Sequence, residues 1–196
     1  TNTGVHSVGD ALELSSIGHW GGSLELIEEQ TFSGVNSVEF TNIKENVYDV
    51  HLIQVSNFTQ NGGDNFGMRW LLSNDGGSTY ETSNYQMAYF EIAPNGSSSE
   101  NRSTSRAHFQ NTIVTLDRDT SPRSVGGGYY YMYNAGNSSK YTFQTNQTSS
   151  GVGAVIGFSL GGAVYRVAET INAFKFDDGS SVYSLYGTIK LFGVKQ

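Results

Sequence analysis

Apolar and polar residues alternate along this chain in short stretches that recur about every ten to fifteen residues. Residues 66–73 show it most clearly. Phe66, Met68, Trp70 and Leu72 alternate with Gly67, Arg69, Leu71 and Ser73, and a period of two puts the first set on one face of a strand. In residues 47–58, Tyr48, Val50 and Leu52 share one face, and Asp49 and His51 the other. Ile53 and Val55 then take over as the apolar pair. A one-residue slip exchanges the faces of a strand, so the pattern predicts a bulge near Leu52 and Ile53, or a strand buried on both sides. Asn61-Gly62-Gly63 predicts a tight reversal, which makes residues 47–80 a central hairpin with Leu52, Met68 and Trp70 in the core. Asn74-Asp75-Gly76-Gly77 predicts the next corner.

The same rhythm predicts strands over residues 23–32, 35–43 (Val38 and Phe40 inward), 85–92, 109–116 and 129–133. A short strand is expected around Tyr141 and Phe143, both inward. Residues 152–160 and 163–167 flank Gly161-Gly162, a hairpin signal. Residues 171–176 carry Phe174 and Phe176 on one face, and residues 183–194 carry Leu185, Ile189 and Leu191. Residues 95–107 are polar and low in complexity, which predicts a long surface loop. Asp117 to Pro122 form a turn cluster. Residues 1–22 are punctuated by glycines and read either as an extended arm packed on a neighbouring subunit or as a loose terminus. In the first case Leu12, Leu14 and Trp20 are its contact residues. The predicted fold is all-β: an antiparallel β-sandwich, jelly-roll-like, with an extended N-terminal arm (residues 1–22) and a single domain (residues 23–196).

Composition narrows the functions. The 196 residues suit one domain, and 13% are aromatic, with 12 Tyr and 11 Phe to supply burial. There is no Cys, so neither disulfides nor thiolate metal sites hold the fold. Eleven basic residues against eighteen acidic ones give a net charge of −7, which argues against nucleic acid as a partner. No apolar run is long enough to span a bilayer as a helix, so no membrane partner is expected. No secretory signal is visible; a start at Thr1 fits loss of an initiator Met and synthesis in the cytoplasm, with a cleaved signal as the competing explanation.

No catalytic constellation appears. His6, His19, His51 and His108 show no zinc-ligand spacing, and His51 reads as an exposed or satisfied strand histidine. Glu28-Glu29 and Asp177-Asp178 are neighbours that point to opposite faces of a strand, so neither pair is an acid/base couple; they read as solvated acids. Asp117 with Asp119, or Asp177 with Asp178, are the first places to look for calcium, but no full ligand loop is present. No enzyme activity, metal or cofactor is therefore expected. Tyr129-Tyr130-Tyr131-Met132-Tyr133 is the most functional-looking stretch. Alternation places Tyr129, Tyr131 and Tyr133 on one face, suited to a subunit or capsid contact, to core packing or to glycan stacking.

The segment SNDGGSTY after an aromatic-rich strand, with the closing segment LFGVK, resembles a group of bacteriophage virion-surface proteins. These are capsid-decorating or tail-fibre-like jelly-roll domains. The matching residues are 72–80 and 191–195, with weaker support from residues 48–58. The resemblance implies a sandwich, a virion location and a homotrimer, and it carries over no functional residues. Together with the absent catalytic spacing it suggests a capsid decoration or cement protein that binds the major capsid protein across subunit seams. The alternative is a carbohydrate- or receptor-binding module of a tail fibre or spike.

Overall fold

The computed structural model describes residues 23–61, 66–115, 125–152, 155–179 and 184–195. Leu12, Leu14 and Trp20, and the arm they belong to, lie outside the described residues, as do the 117–122 turn cluster and the glycines at 62 and 63. Twelve strands are present among the described residues: β1 (Leu24–Val35), β2 (Ser37–Phe40), β3 (Val50–Asn61), β4 (Phe66–Ser73), β5 (Tyr85–Ile92), β6 (Ser98–Arg106), β7 (Phe109–Thr115), β8 (Gly126–Tyr133), β9 (Thr142–Val152), β10 (Val155–Tyr165), β11 (Ala173–Asp177) and β12 (Ser184–Val194). They form two antiparallel sheets packed as a β-sandwich. One has eight strands in the order β1-β12-β3-β8-β9-β10-β5-β6, and the other has four in the order β2-β11-β4-β7.

The chain changes sheet at every connection except β5–β6, β8–β9 and β9–β10. Residues 47–80 are therefore not a hairpin. β3 lies in the large sheet and β4 in the small one, so their apolar faces meet across the core instead of pairing edge to edge. Among the described residues, the consecutive strands that pair are β5–β6, β8–β9 and β9–β10, and the β9–β10 and β5–β6 hairpins extend the large sheet beyond β8.

The core between the sheets is aromatic. Trp70 is fully buried, with its ring 5.4 Å from those of Phe109 and Phe176, 5.5 Å from Phe174 and 5.8 Å from Tyr130. Val38, Phe40, Met68, Phe174, Phe176, Leu185, Ile189 and Leu191 are buried around it, as their periodicity predicts.

The departures from the predicted pattern have physical causes. In β3 the buried set is His51, Ile53 and Val55, followed by Phe58 and Gln60. The phase change thus comes at Ser56 and Asn57, where Asn57 adopts φ 51° and the register shifts against both neighbouring strands. A bulge is the expected device, but it lies past the predicted position, and Leu52 faces outward, half-buried, rather than into the core. Residues 95–107 are mostly strand: β6 is an edge strand with neither face in the core. It needs no apolar alternation, and a polar, charged edge resists pairing with other chains. Gly161 and Gly162 lie in the middle of β10, opposite Tyr89 and Ala88, so they mark a close strand approach and not a turn. Tyr141 and Phe143 point outward.

Candidate functional site

The β9–β10 hairpin is inverted in polarity. Beyond Tyr165 at the end of β10, which joins the core, its buried side chains among the described residues are polar (Thr142, Gln144, Thr148, Ser150 and Ser159), while Phe143, Phe158 and Leu160 stand in solvent. Thr142 Oγ1 and Ser159 Oγ have no hydrogen-bond partner among the described residues, which makes their burial costly. Burying hydroxyls and exposing aromatic rings is the reverse of what a hairpin on an isolated domain does.

Register shows how the exposed side chains combine. Tyr129 pairs with Gln147, Gln147 with Leu160, and Leu160 with Phe90, in a row across four strands. Phe158 pairs with Ile92 beside that row. On its other side Tyr131 leads through Thr145 and Gly162 to Ala88, and Tyr133 through Phe143 to Val164. Tyr129, Phe143, Phe158, Leu160, Phe90 and Ile92 are each between 37% and 52% exposed. If each large side chain carries roughly 200 Å² when free, they leave about 500 Å² in solvent. That is near the top of the range of about 300–600 Å² for the largest apolar patch of a monomer.

The three candidate tyrosines sit on this face as predicted, with Tyr130 and Met132 behind them in the core. Their rings run along β8, with centroids 6.0 Å apart for Tyr129 and Tyr131 and 6.2 Å apart for Tyr131 and Tyr133. The Tyr129 hydroxyl donates to Gln147 Oε1, and Tyr133 Oη lies 3.3 Å from Thr145 Oγ1. These contacts tie Tyr129 and Tyr133 to the neighbouring β9 strand.

Where Gly162 and Ala88 meet in register, the outer face drops into a trough of about 810 Å³. Phe143, Tyr133 and Val164 form one side, and Arg102, Thr104 and Gln86 form the other. Arg102 is exposed and makes no ion pair or hydrogen bond among the described residues. Gln86 Nε2 donates to the Thr104 carbonyl at 3.1 Å.

The acidic candidates are structural. Asp177 and Asp178 are buried, not solvated. Asp177 accepts from Arg69 Nε at 2.7 Å and lies 3.4 Å from Lys175 Nζ, so its carboxylate is occupied by cations. Asp117 and Asp119 lie outside the described residues. Glu28 accepts from Gln30 and Glu29 meets Lys190, so the two adjacent acids are engaged separately. Among the described residues no cluster of three or more His, Asp or Glu could hold a metal ion.

His51 is fully buried, and its Nε2 donates to the Ile43 carbonyl at 2.8 Å. Burial lowers its pKa. His108 is half-buried beside Arg69 and Arg106; desolvation first, and then those guanidinium groups, bring its pKa down to about 4. An unfolded histidine titrates near ~6.5. The stability that neutral His108 contributes is thus complete above that value and is lost as pH falls from ~6.5 toward 4. In thermal melts across this window, His108→Gln should flatten the fall in Tm on acidification. A slope identical to that of the wild type would place the acid sensitivity elsewhere.

Five of the apolar residues on this outer face, Phe90, Ile92, Phe143, Phe158 and Leu160, were not legible as site residues. β9 carries few apolar residues on either face, so its period does not state which face is inward. Comparison with protein-family models, curated proteins and solved structures finds no match. Among the described residues, no helix is long and apolar enough to cross a membrane.

Proposed function

We propose that this chain is a structural phage virion protein, a jelly-roll module that decorates or cements the head through contacts across capsid subunits. The carrying observation is the inverted β9–β10 hairpin, whose apolar outer face calls for a protein partner. Strand order supports the jelly-roll reading. With the two hairpins set aside, the remaining strands form sheets ordered β1-β12-β3-β8 and β2-β11-β4-β7, the connectivity of a doubled Greek key. The elaborations on that frame carry the exposed face. Tyr129, Tyr131 and Tyr133 with Phe158 and Leu160 are the contact residues, the major capsid protein and two further copies in a homotrimer are the partners, and residues 1–22 serve as the gripping arm.

Phe158→Asp combined with Leu160→Asp tests this. Both side chains are exposed, so the fold and Tm should hold. Light scattering should show a trimer for the wild type and a monomer for the double variant, and only the wild type should sediment with undecorated heads. Equal assembly and head binding by both proteins would overturn the assignment of this face.

A second reading, a carbohydrate-recognising module of a tail fibre or spike, is favoured by the trough beside Gly162, which combines aromatic and polar walls.

A further inference from the structure

We infer that the trough over Gly162 and Ala88 is a binding site for a carboxylated pyranose within a short acidic oligosaccharide. It deepens the second reading and is independent of the assembly reading. Apart from Tyr133, which both readings use, its residues lie at one end of the outer face, whereas Phe158, Leu160, Phe90 and Ile92 occupy the other.

Shape comes first. All the side chains around Gly162 and Ala88 on this face are larger, so the floor is a depression and not a flat continuation of the sheet. A trough of about 810 Å³ falls within the range of about 300–1,000 Å³ typical of ligand sites. Gly162 keeps the floor open: a Cβ there would approach the Gln144 carbonyl to 3.0 Å and Thr145 Cγ2 to 3.9 Å, and a larger side chain would fill the space.

The lining selects the ligand. Phe143, exposed, and Tyr133, half-buried, offer aromatic surface to the C–H face of a sugar ring. The hydroxyls of Thr145 and Thr104 and the amide of Gln86 can meet ring hydroxyls. Arg102 brings a planar guanidinium that makes no ion pair or hydrogen bond among the described residues, and its fork of donors matches a carboxylate. Glu100, two residues along β6 on the same face and opposite Phe90, leaves room for one anionic group here and not for a dense polyanion. An extended peptide is disfavoured. The floor consists of strands whose backbone groups already pair across β9, β10 and β5, so it has no free edge for strand addition.

The test is an isothermal titration and saturation-transfer NMR series on the full chain. The probes are oligosaccharides of galacturonate, glucuronate and N-acetylneuraminate, the methyl ester of the galacturonate probe, and tetraglutamate. At least one acidic sugar should bind, and its methyl ester at least tenfold more weakly. Arg102→Gln should lose about tenfold for the acid and little for the ester, and Phe143→Ala should weaken both. Both positions are exposed, and unchanged melting curves would show an intact fold. The Phe158→Asp, Leu160→Asp double variant should bind sugar like the wild type, so loss of assembly and loss of sugar binding separate. No binding by any acidic sugar, equal affinity for acid and ester, or tetraglutamate binding as tightly would overturn the proposal.

Discussion

Trp70→Ala should destabilise the domain by about 3–5 kcal/mol, the cost of truncating a large aromatic core residue. Trp70 is fully buried, and its ring contacts those of Phe109, Tyr130, Phe174 and Phe176. Those partners come from β7, β8 and β11, so the cavity would open between the two sheets, where neither can collapse without breaking its own ladder. At about 2–4 °C per kcal/mol for a domain of this size, the melting temperature should fall by about 6–20 °C. Trp70→Phe should cost less than half as much. It keeps a ring in place, and it removes an indole N–H that has no hydrogen-bond partner among the described residues. Urea unfolding followed by circular dichroism checks both. A Trp70→Ala loss below about 1 kcal/mol, the ordinary size of a mutation effect, would show that the core is not organised around this ring.

Gly161→Ala should be the most damaging conservative change in the large sheet, and Gly162→Ala, one residue on, should be mild. A Cβ at Gly161 would lie 2.4 Å from Tyr89 Cβ, 2.5 Å from the Ala88 carbonyl oxygen and 2.6 Å from Tyr89 Cα. Backbone atoms cannot rotate away, so β5 must separate from β10. At Gly162 the nearest atom is 3.0 Å away and the next 3.9 Å, which a small shift relieves. Overpacking of this kind costs about 1–3 kcal/mol, and more where the backbone must move. Its effect should be local. In the order β9-β10-β5-β6, the β5–β6 hairpin is held to the sheet through β10. Hydrogen exchange should therefore accelerate across β5 and β6 in Gly161→Ala while the Trp70 core stays protected. Sugar binding should be lost with it, because Arg102 and Ala88 lie on those strands. Uniform acceleration across the whole chain would contradict this picture.

Much of the frame is written in local pattern. Periods of two in β4 and β12 placed Trp70, Met68, Ile189 and Leu191 on one face each, because a strand with one face in a core must alternate. The same rule put Tyr129, Tyr131 and Tyr133 on one face of β8 and Tyr130 and Met132 on the other; which face is inward came from the structure, where Tyr130 and Met132 are buried. Turn residues and the near absence of helical periodicity were enough to establish an antiparallel β-sandwich.

Three things needed the tertiary structure. Pairing partners came first: β3 and β4 are neighbours in sequence, yet they face each other across the core. Turn residues state that a chain reverses, not which sheet receives it. The second was the role of polar segments. β6 and β9 lack an apolar face toward the core, so nothing local distinguishes them from a loop or fixes their phase; they become strands because β5 and β8 offer unpaired edges. The third was the outer face itself. Tyr129, Leu160 and Phe90 are far apart in the chain, and only cross-strand register brings them into one row. Alternation along a strand is a short-range property carried by the residues themselves. A surface across strands is set by long-range pairing, which a single strand's sequence does not encode.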